Sequence, residues 1–176
     1  MTPIDRPGHR TPRPITAERT SPTDIVVTPL TKTEKRVLEQ VSLGQDPAAG
    51  AAELGMTRPT FNDHVRHIGH KFQVKGPAVK LQMAYVMQQL DLPDPIECTE
   101  EFSDEERNLW QAIALHSVPV DISVAAGHGP HGVPGMSEAI KGLMRKTGAR
   151  SQAHLVRLGH AFGVLDATAP PPPIAL

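Results

Sequence analysis

Two stretches of this chain open a helix in the same way, 72 positions apart. Thr31-Lys32-Thr33-Glu34 is followed by Val37, Leu38 and Val41, and Ser103-Asp104-Glu105-Glu106 is followed by Leu109, Trp110 and Ile113. Each stretch is a capping box, in which a hydroxyl and a carboxylate three residues apart satisfy free N–H groups at a helix start. The apolar residues after each box recur at helical spacing, so each opens an amphipathic helix. A unit that occurs twice constrains the fold to two copies of one small helical domain.

Few aromatics (3%) and many Ala, Leu, Val and Met residues favour helices, and only Ile25-Val26-Val27 reads as a short strand. The expected class is all-α: two tandem small helix-turn-helix domains with disordered termini. Residues 1–29 are rich in Pro, Thr and Arg and read as a disordered segment. The first domain is 30–90, an acidic linker is 91–101, and a divergent second domain is 102–165. A Pro-rich tail, 166–176, contains Pro170-Pro171-Pro172-Pro173, a polyproline II stretch.

Four helices are predicted in the first unit. The first runs from about Thr31 to Leu43 and stops at Gly44. Asp46-Pro47 supplies an N-cap and a first-turn proline for a short second helix closing near Gly55. Thr57 caps a third helix reaching about Phe72, and a fourth spans about Ala78 to Leu90. The short helix, turn and longer helix of Asp46–Phe72 make a helix-turn-helix, whose second helix would enter the DNA major groove. Its outward residues are Arg58, Asn62, Asp63, Arg66, His67 and His70. Arg and Asn suit bidentate contacts to guanine and adenine edges, and Lys71 and Lys75 suit phosphates.

The first unit also resembles the LuxR/GerE class of bacterial helix-turn-helix domains. The matching pattern is Leu30-Thr31-x-x-Glu34-x-x-Val37-Leu38, then Gly44, Ala51, Leu54, Thr57, Thr60, His64, Ile68, Lys71-Phe72 and Val74. The resemblance implies a four-helix DNA-binding domain of a transcription regulator, dimerising through its fourth helix, with Asn62, Arg66 and Lys71 on DNA. Three departures stand out: Gly50 replaces the family's Ile, Asn62-Asp63 replaces a basic position, and Pro77 replaces an Arg. The second unit opens like the family and resembles it again at Leu143, Arg145-Lys146, Gly148-Ala149-Arg150 and Leu155-Val156. Lys146 aligns with Lys71 at an offset of 75, so three extra residues are expected in the Gly127–Gly135 loop. The third helix of that unit is then expected from about Met136 to Lys146. The full DNA-binding set is Arg58, Thr60, Asn62, Arg66, His67, His70, Lys71 and Lys75, with Lys141, Arg145 and Lys146 from the second unit. Whether that second unit touches DNA or serves as a packing partner is left open.

Charge supports this division. The formal net charge is −1, yet residues 30–90 carry eight Lys/Arg against five Asp/Glu, and residues 91–101 carry five acids and no base. Acidity concentrated in a connector does not exclude DNA. Cys98 is the single cysteine, so no internal disulfide forms and a reducing, cytoplasmic, nucleoid-associated setting is expected. No run has the length needed to cross a bilayer, so no membrane partner is expected.

Other chemistry is weakly signalled. His64, His67 and His70 fall on one broad helical face, but no carboxylate or cysteine accompanies them, so no metal is expected. His128-x-x-His131 lies in a Gly/Pro loop without the Gly-Lys-Ser/Thr ending of a phosphate cradle. No nucleophile–base–orienter set is legible, and neither an enzyme nor a cofactor is expected. The expected function is sequence-specific recognition of double-stranded DNA in transcription regulation. The alternative is a non-enzymatic interaction protein that binds another regulator, a sigma factor or RNA polymerase. The apolar excess of helix 78–90 fits either a homodimer face or docking onto the second unit.

Overall fold

The computed structural model describes residues 28–168 together with Pro170 and Pro171. The expected N-terminal disorder, the Ile25–Val27 strand and most of the proline tail lie outside those residues. Among the described residues the chain is all-α, with eight helices and no strand. They are α1 Lys32–Ser42, α2 Pro47–Glu53, α3 Arg58–Phe72, α4 Pro77–Val86, α5 Asp104–Leu115, α6 Pro119–Ala125, α7 Val133–Thr147 and α8 Gln152–Ala161.

Local chemistry accounts for most of these boundaries. Thr31 Oγ1 accepts from the Glu34 N–H at 3.2 Å, and Glu34 Oε2 accepts from the Thr31 N–H at 2.7 Å. Ser103 and Glu106 repeat the arrangement at 3.2 and 2.9 Å. Asp46, Thr57 and Ser151 cap α2, α3 and α8 with their side chains. The α1–α2 and α5–α6 pairs start 72 positions apart, whereas α4 and α8 start 75 apart. The three extra residues fall between α6 and α7, where residues 126–132 stand opposite residues 54–57.

Two boundaries differ from expectation. Helix α7 starts at Val133, three residues before Met136, because Pro134 sits in the first turn, where an absent N–H removes no helical bond. The preceding turn is held instead by Ser123, whose hydroxyl donates to Gly129 O at 2.6 Å while its carbonyl accepts from the His128 N–H at 2.9 Å. Helix α4 ends at Val86, short of Leu90, because Gln88 adopts a left-handed φ of 52°. That turn is closed by the Gln89 N–H donating to Ala84 O at 2.8 Å.

One apolar core runs through both halves. Helix α4 packs on α5 and α8, and α8 in turn packs on α1 and α4, so each half inserts its last helix against the other. Tyr85 and His160, which are equivalent by the 75-residue offset, meet edge-on at 4.9 Å between ring centroids. The contacts between the halves are thus reciprocal, α4 on α5 and α8 on α1. The turns follow suit: a Cβ on Gly44 would lie 2.9 Å from Cβ of Arg150 and of His154, and one on Gly76 would lie 2.8 Å from Ser117 Cβ. Trp110 is fully buried and donates its indole N–H to Leu155 O at 2.8 Å.

Polar groups along this seam are paired across it. His160 Nε2 and Gln82 Oε1 are 2.7 Å apart, and Gln82 Nε2 donates to Asp166 O at 3.0 Å. Burial pushes the His160 imidazole down to about 4 from 6.5, against the opposing pull of Asp166. Arg157 donates to Ser42 Oγ at 3.2 Å from the other side. Of the two uses expected for helix 78–90, docking onto the second half is the one seen within the chain. Ala78, Val79, Leu81, Gln82, Met83, Ala84 and Tyr85 are all buried within the chain, so α4 offers no free apolar face to a second copy.

Candidate nucleic-acid interface

Helix α3 is held by Phe61, Ile68 and Phe72 on its buried side, which turns the intervening polar residues outward. Arg58, Thr60, Asn62, Asp63, Arg66, His67 and His70 are all exposed. Thr60 lies beside the cap, its hydroxyl 2.8 Å from that of Thr57. Arg66 pairs with Asp63 at 2.8 Å, but both side chains are more than half exposed, so the pair is weak and easily exchanged for another anion. Lys75 is exposed in the α3–α4 connection.

Lys71 is placed differently from expectation. Its ammonium donates to Glu34 Oε2 at 2.7 Å and to Pro29 O at 3.1 Å. The side chains are 22% and 5% exposed, so this cation ties α3 to the start of α1. Burial pushes the Glu34 carboxyl up, yet the bonds from Lys71 and Thr31 outweigh it and hold the group below its ordinary range. Lys146 repeats the arrangement, donating to Glu106 Oε2 at 2.8 Å and Glu101 O at 2.7 Å, with its ammonium 4.9 Å from the Phe102 ring centroid. The hydrogen bond from Lys146 holds Glu106 down as well. Both lysines therefore tie one helix to another, Lys71 joining α3 to α1 and Lys146 joining α7 to α5.

On α7, Lys141 pairs with Glu138 at 2.9 Å on the surface, and Arg145 is exposed. The structure thus brings together Arg58, Asn62, Arg66, His67 and His70 along α3, while α7 presents Lys141, Arg145 and Lys146 without the Asn and His residues. Beside them lies a groove of about 370 Å³ between α3 and α4. Asn62, Arg66, His70 and Lys75 stand at its sides, Val65 and Val74 line it, and Lys80 reaches into it. Sequence reasoning counted Lys80 only as charge. What makes room for it is Gly69, where a Cβ would lie 2.7 Å from Lys80 Cε. A contact across two helices has no signature in local spacing.

The second half carries a groove of another character, about 430 Å³ between α6 and α7, with Pro119, Ile122, Val133, Met136, Ile140 and Met144 among its lining. Val118, Val120 and Val124 on and beside α6 are 48%, 44% and 52% exposed. Ile122 and Gly50 are equivalent by the 72-residue offset, so the second half has an aliphatic side chain where the first has none.

Among the described residues no group of three or more His, Cys, Asp or Glu side chains could hold a metal ion, and no helix is long and apolar enough to cross a membrane. Cys98 is half-buried with its thiol 3.9 Å from Glu100 O. Comparison with family models, curated protein sequences and solved structures found no match to this chain.

Proposed function

We propose that this chain is a sequence-specific double-stranded-DNA-binding transcription regulator in which α3 reads the major groove. The observation that carries the reading is the outer face of α3. It is a 15-residue helix after a short helix and turn, presenting Arg58, Asn62, Arg66, His67 and His70 to solvent. Side chains of these types suit base edges, and Arg66 is bound only to an exposed carboxylate that a guanine edge can displace. The resemblance to LuxR/GerE domains supports the same reading. The mutual packing of α4 and α8 supports a chain that pairs two such units internally, α7 being the partner or the weaker reader.

Selection of bound duplexes from a random pool by the full chain, at about physiological salt, tests this. The expected result is an enriched motif, with two half-sites about one helical turn apart if both halves engage. Arg66→Ala then weakens binding by about 1–3 kcal/mol and relaxes preference at one position. Absence of any enriched motif refutes the proposal.

The apolar groove beside Val118, Val120 and Val124 favours a second reading, in which the chain binds another regulator, a sigma factor or RNA polymerase. Salt separates the two. Binding through phosphates weakens steeply as salt rises, whereas an apolar interface is nearly indifferent to it.

A further inference from the structure

We propose that the groove between α3 and α4 is a phosphate-binding site and that Lys80 is its innermost ligand. Lys80 projects from α4 across α3, with Cε and Nζ at 2.7 and 3.2 Å from the point that a Cβ on Gly69 would occupy. It forms no ion pair or hydrogen bond with any described residue, and no Asp or Glu lines the groove. A half-buried cation without a partner is costly, and an anion seated beside it relieves that cost. Arg66 and Lys75, which also line the groove, add donors of the same sign.

Two further features suit a phosphoryl ligand. Helix α4 starts at Gly76-Pro77 with no side-chain cap, and Gly76, at the groove's edge, brings no side chain that would keep an anion off. Val65 and Val74 supply an apolar surface for the carbon skeleton that carries the phosphate. Burial holds the Lys80 ammonium below its ordinary range, and a bound anion would raise it again. The second half lacks the device. By the 75-residue offset, Gly69 becomes Met144, Lys80 becomes the fully buried Leu155, and Gly76 becomes Ser151, which caps α8.

The phosphoryl group has two sources, a DNA backbone phosphate or a free phosphorylated small molecule. The DNA arm rests on the proposed function, and the small-molecule arm does not. The full chain, labelled at lysine Cε, is titrated with inorganic phosphate at constant ionic strength and then with a short duplex. Lys80 is expected to shift saturably with phosphate while Lys141 does not. Lys80→Met, similar in length and uncharged, should abolish that shift. It should also weaken duplex binding about tenfold and lower the salt slope by about one unit.

A saturable phosphate shift in a chain that binds no duplex upholds the site for a free phosphorylated ligand, and only the DNA reading falls. A loss of duplex affinity and salt slope in Lys80→Met, without a shift by free phosphate, upholds the site for a backbone phosphate. Lys80 unmoved by phosphate, with duplex binding absent or unchanged in Lys80→Met, overturns the site. Because the wild-type titration needs no variant, a folding defect in Lys80→Met leaves the proposal open to refutation.

Discussion

Acidification should loosen the seam between the halves through His160, and the size of the effect follows from its surroundings. The imidazole is pushed down to about 4 in the folded chain, against an ordinary 6.5. Between those values the unfolded chain binds a proton that the folded chain does not. Stability therefore falls as pH drops through this window, and the contribution is fully present only above about 6.5. A shift of one unit corresponds to about 1.4 kcal/mol, so the upper bound is roughly 3 kcal/mol. Partial solvent access to the ring reduces that to about 1–2 kcal/mol. The assay is urea unfolding followed by the fluorescence of Trp110, the single tryptophan, at intervals from pH 7.5 to about 4. Glu34 and Glu106 also lose stabilising charge in acid, so the informative quantity is the wild type minus His160→Gln. Gln retains a partner for Gln82 but does not titrate. The difference should be level above pH 6.5 and decline below it. Parallel curves for the two proteins across the whole range would refute the reasoning.

Three further outcomes are expected. Lys71→Met should lower stability by about 1–3 kcal/mol, because it leaves the nearly buried Glu34 carboxylate unpaired, whereas Lys146→Met, facing the more exposed Glu106, should cost less; chemical denaturation of both decides it. Gly159→Ala should destabilise by about 1–3 kcal/mol, since its Cβ would stand 2.6 Å from Leu165 Cδ1 and 2.8 Å from Trp110 Nε1, and an unchanged melting temperature would contradict the packing described. Gln88→Gly should stabilise by about 0.5–1 kcal/mol by relieving a left-handed φ of 52° that the equivalent Gly163 adopts freely, with thermal unfolding as the check.

The legible parts of this fold were those written in local chemistry. Thr31/Glu34 and Ser103/Glu106 announce their helices because a capping box acts within four residues, and the change of offset from 72 to 75 located the longer α6–α7 turn. The end of α4 escaped because glutamine gives no sign that it will adopt a left-handed conformation. Residue type alone set Gly127–Gly135 as loop, while position within the first turn is what let Pro134 begin α7. At the candidate interface, helical spacing sufficed to find the outward residues of α3. It did not separate Lys71, drawn back to Glu34, from Lys75, which stays exposed, because that depends on where α1 begins in space. Lys80 was hidden for the same reason: its place depends on a glycine in another helix.

The meeting of Tyr85 with His160 has a consequence for how such a protein can change. In a pair of identical chains every substitution on the axis is made twice and must be compatible with itself. Here the two sides of the contact are encoded separately, so a large phenol can face an imidazole and be adjusted alone. Dilution cannot separate the partners either, because residues 91–101 tether them at high effective concentration. One half is thereby free to keep a polar outer face on α3 while the other carries exposed aliphatic side chains on and beside α6, with no loss of the pairing that holds both.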